Sequence, residues 1–104
     1  MLRMKITNDR SSFVTVMLEP WGEDYGMSPN NEFEIIAEDA DETCYFHTCH
    51  DEDYIAVYAE GTVNYYPRIF QNGKLLECGH NRQEDYSNGQ SNSLFSRLYD
   101  FFFT

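Results

Sequence analysis

The chain has 104 residues, of which 18 are acidic and 7 basic, for a net charge of −11, and 41% are hydrophobic. That length fits a single domain, and such a chain buries roughly 60–70% of its unfolded surface, enough for a core without metal or disulfide support. No run approaches the roughly 18–20 consecutive apolar residues that cross a bilayer, and the anionic balance opposes contact with nucleic-acid phosphates and anionic lipid.

Short apolar segments separated by turn signals about every ten residues predict an all-β fold, an antiparallel β-sandwich of about seven strands. The opening Met1-Leu2-Arg3-Met4-Lys5 leads into polar residues, which argues against a signal peptide and leaves Met1 or Met4 as the natural start. A strand over residues 2–6 is expected to form a hairpin with a second over 13–18, across the turn-rich segment 8–12. Pro20 ends the second strand, and residues 21–31, with Gly22, Gly26 and Pro29, read as a loop long enough to carry a site.

Residues 32–38 alternate, with Phe33, Ile35 and Ala37 on one face and Glu32, Glu34 and Glu38 on the other, the pattern of a half-buried strand. Segments 43–50 and 54–60 flank the acidic turn Asp51-Glu52-Asp53 and predict a hairpin. Segments 65–71 and 74–78 flank Asn72-Gly73, the dipeptide best suited to a type I′ turn. A domain over residues 1–80 is thus followed by a polar stretch, 81–93, that reads as a flexible linker. An aromatic segment, 94–104, then has Leu94, Leu98 and Phe101 or Phe102 at helical spacing. This segment is expected to form a short helix or edge strand, docked on its own sheet or bound to a partner, including a second copy in a homodimer.

The charge is concentrated. No Lys or Arg stands between Arg10 and Arg68, whereas that span carries Glu19, Glu23, Asp24, Glu32, Glu34, Glu38, Asp39, Asp41, Glu42, Asp51, Glu52, Asp53 and Glu60. Such a field keeps an aromatic-rich protein soluble and attracts basic partners or divalent cations. The three cysteines, Cys44, Cys49 and Cys78, form an odd set without framework spacing, which suits reduced thiols in a cytoplasm.

The chain has no Gly-rich phosphate loop, nucleophile elbow or helical metalloprotease motif, so the expectation is a non-enzyme without a cofactor. The set with the clearest chemical logic is His47-Thr48-Cys49 and Cys78-Gly79-His80. Residues two apart in a strand share a face, so two adjacent strands would offer the four nitrogen and sulfur ligands of a zinc site, or a cysteine–histidine catalytic pair. Against this, buried cysteines often act as small hydrophobes, and the spacing matches no common zinc module. Asp39, Asp41 and Glu42, or Asp51, Glu52 and Asp53, offer oxygen ligands for calcium but lack EF-hand spacing, so solvated turns are the simpler reading.

The stretch Leu18-Glu19-Pro20-Trp21-Gly22-Glu23-Asp24-Tyr25, followed by Pro29-Asn30-Asn31-Glu32-Phe33-Glu34-Ile35, with Tyr66-Pro67 and Asn72-Gly73-Lys74 later, resembles small bacterial all-β proteins of uncharacterised function. The resemblance covers about residues 4–82 and implies a compact β-sandwich; it carries over no functional residues, and Asn30 stands where Gly would be expected. The expected function is a protein-interaction module, an inhibitor or immunity-type protein that meets a basic partner through Trp21, Glu23, Asp24 and Tyr25 and through Phe101 and Phe102. Two alternatives are a zinc-binding or catalytic domain using His47, Cys49, Cys78 and His80, and a carbohydrate-binding module using Trp21 and Tyr25.

Overall fold

A computed structural model describes residues 1–82. Within them the fold is all-β, with no helix and eight strands: β1 (Leu2–Thr7), β2 (Val14–Glu19), β3 (Glu23–Met27), β4 (Glu32–Ala37), β5 (Tyr45–His50), β6 (Tyr54–Glu60), β7 (Arg68–Gln71) and β8 (Lys74–Leu75). They form two four-stranded sheets packed together, one in the order β1-β4-β7-β8 and the other β3-β2-β6-β5. The expected linker over 81–93 lies outside the described residues beyond Arg82, as does the aromatic segment 94–104.

Period-2 alternation sets the core. One face of β4 buries Phe33, Ile35 and Ala37 completely, while Glu32 and Glu34 turn outward, as the sequence pattern predicts. The inward residues Val14, Val16, Leu18, Tyr25, Met27, Ile55 and Val57 of the second sheet meet Phe33, Ile35 and Ile69 of the first in one continuous cluster, with Met4, Ile6 and Phe46 packed at its margin. The β5–β6 hairpin forms with Tyr45 opposite Glu60 and His50 opposite Ile55. The β7–β8 hairpin turns on Asn72 (φ 53°) and Gly73 (φ 79°), the positive angles a type I′ turn demands.

Three expectations are corrected. β1 and β2 do not pair: β1 runs antiparallel to β4 in one sheet, while β2 lies between β3 and β6 in the other. The segment between them crosses from sheet to sheet around Asn8, which is 2% exposed. The Asn8 amide nitrogen donates to the Ser12 and Met27 carbonyls at 2.9 and 3.0 Å, and its side-chain oxygen accepts the Arg10 N–H at 3.0 Å. Its backbone N–H donates to the Asn31 carbonyl at 2.9 Å, and its own carbonyl accepts from Asn30 at 2.8 Å. Every polar group of this residue is satisfied inside the protein, so it fixes the crossing that separates the two strands.

The expected loop over residues 21–31 contains a strand, β3. Gly26 reads as a breaker in sequence, but here it allows close approach: a Cβ at this position would collide with the Asn81 carbonyl oxygen and the Phe13 ring. Finally, the ladder is not wholly antiparallel. β2 pairs with β6 in parallel, from Thr15 opposite Tyr54 to Glu19 opposite Tyr58, and β2 is buried on both faces. On its outer side Met17 and Ala56 form a second small cluster under Tyr54 and Tyr58.

Replacing Asn8 with Ala removes the partner of the buried Met27 carbonyl and of the part-buried Ser12 carbonyl and Arg10 N–H. We expect a loss of about 2–4 kcal/mol in urea unfolding; a variant as stable as the wild type would show that the crossing does not depend on Asn8.

Candidate functional site

The β2–β3 turn, Pro20-Trp21-Gly22, follows a cis Glu19–Pro20 bond and uses Gly22 at φ 72°. It leaves Trp21 40% exposed and sets its indole flat against Tyr66, itself 53% exposed, with ring centroids 5.0 Å apart and planes 8° from parallel. Tyr66 belongs to the segment leading into β7, so the stack joins the second sheet to the first.

Glu23 holds the stack in place. Its carboxylate accepts the Tyr25 hydroxyl at 2.9 Å and also the Tyr66 hydroxyl. The bond to Glu23, followed by burial, pushes the Tyr66 phenol up to about 12, so it stays a neutral donor through the physiological range. Burial first, then the same carboxylate, also raises the Tyr25 phenol. Beside the stack lies a cleft of about 550 Å³ lined by Glu23, Glu38, Asp39, Glu77, Tyr66 and Arg68, among others. Four carboxylates against one guanidinium make it strongly anionic, while Tyr66, Pro67, Leu75 and Leu76 give it apolar surface and Trp21 stands outside it, behind Tyr66. Such a site suits a cationic, planar or alkyl-stemmed group.

Only part of the Trp21–Tyr25 set is therefore available to a partner. Trp21 is partly exposed beside the cleft and Glu23 lines it, whereas Tyr25 is 4% exposed, its ring within the inter-sheet cluster at the cleft's inner side. Asp24 is 3% exposed and bound to Arg82, with Nε at 2.8 Å from one carboxylate oxygen and Nη2 at 2.5 Å from the other. Strand alternation separates Asp24 from Glu23 and Tyr25, since once residues 23–27 pair with β2, successive side chains must point to opposite faces. Phe101 and Phe102, and any homodimer made through them, lie outside the described residues. Tyr66, Glu38, Asp39 and Glu77, which line the cleft, were not singled out for it from sequence, and no local pattern marks them as neighbours.

His47 and Cys49 sit on one face of β5, next to Tyr58 and Glu60 in a shallow hollow of about 260 Å³, the His47 ring meeting Tyr58 edge-on at 5.8 Å. Cys78 and His80 lie beyond the other edge of the same sheet. The Cys78 thiol is 3.8 Å from Asp24 Oδ1, and the His80 ring meets Phe33 edge-on at 6.3 Å. With β2 and β6 between them, the two pairs stand at least about 14 Å apart, and they do not form one site. Among the described residues no three His, Cys, Asp or Glu side chains converge as metal ligands, for zinc or for calcium. Asp39 lines the cleft instead, and Asp41 caps its own turn through Thr43 N and Oγ1 at 2.8 and 2.6 Å, which lowers its pKa. The cysteines are free thiols, Cys44 buried, Cys49 and Cys78 exposed.

One further polar group is unusual. Glu19 is 2% exposed, its Oε1 has no hydrogen-bond partner, and burial raises its carboxyl to about 7 against a smaller opposing bond from the Gly22 backbone. No family model, curated protein or solved structure matches this chain.

An acid whose pKa rises on folding holds its proton more tightly when folded. Glu19 therefore costs stability as pH climbs from the unfolded value of 4.5 to about 7, with no further loss above that. Glu19→Gln should remove this loss and exceed the wild type at pH 8 by on the order of 2–3 kcal/mol, read by denaturant unfolding across pH. Parallel pH profiles for the two proteins would contradict it.

Proposed function

We propose that this chain is a small acidic protein-interaction module that binds a basic partner through the Trp21–Tyr66 stack and the adjoining anionic cleft, in the manner of an inhibitor or immunity-type protein. The observation that carries this reading is the stack itself, two partly exposed aromatic rings, with Tyr66 held by the Glu23 carboxylate and lining a cleft that also contains Glu38, Asp39 and Glu77. An exposed pair of this size loses apolar contact with nothing to cover it, whereas a partner's guanidinium seated on the indole would gain both a cation–π contact and carboxylate partners. Pre-orientation by Glu23 reduces the ordering cost that binding would otherwise incur.

The scaffold in this reading is a β-sandwich of the kind suggested by the resemblance of residues 18–25 to small bacterial proteins. Its setting is the cytoplasm, where free thiols persist. The net charge of −11 adds long-range steering toward a basic protein.

Trp21 is the single tryptophan, so its emission reports the site directly. Titration with a hexa-arginine peptide should change Trp21 emission saturably. Raising ionic strength from about 0.02 to about 0.3 M should weaken binding at least about tenfold. Tyr66→Ala and the double reversal Glu38→Lys/Asp39→Lys should each weaken it by calorimetry, leaving the Glu23 clamp to Tyr25 in place. No response to the peptide, but a response to neutral oligosaccharides, would replace this reading with carbohydrate binding.

A further inference from the structure

The edge of a β-sheet presents unpaired N–H and C=O groups and templates another strand unless it is guarded. Of the four edges, three are guarded. β1 carries the exposed charges Arg3 and Lys5, and β8 is two residues long. Along β3, the Asp24 carbonyl accepts the Gly79 N–H and the Gly26 N–H donates to the His80 carbonyl, both at 2.7 Å, so the chain itself covers that edge.

β5 itself carries none of these devices, and between it and β1 an open hollow lined by Thr48, His50 and residues 4–10, Lys5 among them, leaves room along its edge. Its six residues, Tyr-Phe-His-Thr-Cys-His, include no proline, lysine, arginine, aspartate or glutamate. Among the described residues its one sheet neighbour is β6. Tyr45 is 54% exposed, and His47, Cys49 and His50 are exposed as well. Alternate residues of such a strand turn their N–H and C=O groups away from the neighbour that pairs them.

Charge frames this edge at both ends. Asp41, Glu42 and Glu60 stand at the start of β5 and Asp51 and Glu52 at its end, all exposed. Arg10 offsets part of the second cluster by donating to the Asp51 and Glu52 carbonyls at 2.6 and 2.7 Å. At about 3.3 Å per residue the two ends lie about 17 Å apart. A second copy added antiparallel would bring carboxylates against carboxylates at both ends, with −11 on each chain. An extended segment with a cation at each end would meet them favourably.

We infer that β5 is a strand-addition site for an extended segment of a basic protein, carrying Lys or Arg at each end of a six-residue uncharged stretch. Main-chain bonds to the β5 edge supply affinity in this mode, and the flanking carboxylates set position and preference. The site lies on the opposite edge of the sheet from Trp21 and is independent of the cleft.

The test uses the full-length protein and the blocked peptide Lys-Thr-Val-Thr-Val-Thr-Val-Lys, with amide hydrogen exchange followed by NMR. At saturating peptide the outward amides of β5 should exchange about tenfold more slowly. The same peptide ended in Glu, or N-methylated at alternate residues so that it cannot bond to the edge, should give no protection. Cys49→Lys, a charge placed on the edge, should weaken the Lys-ended peptide while leaving the Trp21 response to hexa-arginine unchanged.

Unprotected β5 amides, or equal protection by the Glu-ended peptide, would overturn the proposal. So would protection already present without peptide: if independent of protein concentration it would assign the edge to residues 83–104, and if concentration-dependent, to a second copy. A silent Trp21 beside a protected β5 would count against the cleft alone.

Discussion

The structure rests on one constraint: two sheets must bury their inward faces against each other, and this chain has just enough apolar residues at alternate positions to do it. Val14, Val16, Leu18, Tyr25, Met27, Ile55 and Val57 from one side and Phe33, Ile35 and Ile69 from the other fill a single cluster. β2 carries the greatest share, because it is central in its sheet and buried on both faces. A strand in that position tolerates few polar groups, so Glu19 at its end is held in an environment that favours its protonated form.

With the interior full, the acidic residues are confined to outer faces, turns and strand ends. Most stay in water, where a solvated carboxylate costs nothing. Topology brings some of them together: Glu23 from β3, Glu38 and Asp39 from the end of β4, and Glu77 after β8 reach the same cleft from three parts of the chain. The Glu23 carboxylate accepts two phenolic hydroxyls, and in doing so holds Tyr66 against Trp21.

Asp24 shows the opposite outcome one residue away. It points to the outer side of the second sheet, where it is buried and neutralised by Arg82 in a two-point contact. A buried carboxylate with a guanidinium fork is a fixed structural element, and breaking it would leave an uncompensated charge. The same contact draws residues 78–82 along β3, which closes that edge and leaves β5 as the open one among the described residues.

Local pattern determined a good deal here. The alternation of residues 32–37, the hairpin between two apolar runs across Asp51-Glu52-Asp53, and the Asn72-Gly73 turn were all legible, because each depends on neighbours a few residues apart. So was the anionic character of residues 11–67, which composition alone establishes. Tertiary structure decided the rest. Pairing of β1 with β4 instead of β2 depends on the bonds of Asn8 to residues 27, 30 and 31, and β3 was hidden by a glycine whose missing side chain makes room for Phe13 and Asn81. The separation of His47 and Cys49 from Cys78 and His80, and the meeting of Trp21 with Tyr66 across 45 residues, follow from sheet order. Spacing in sequence shows which side chains share a face of one strand; only the long-range pairing of strands decides which faces meet.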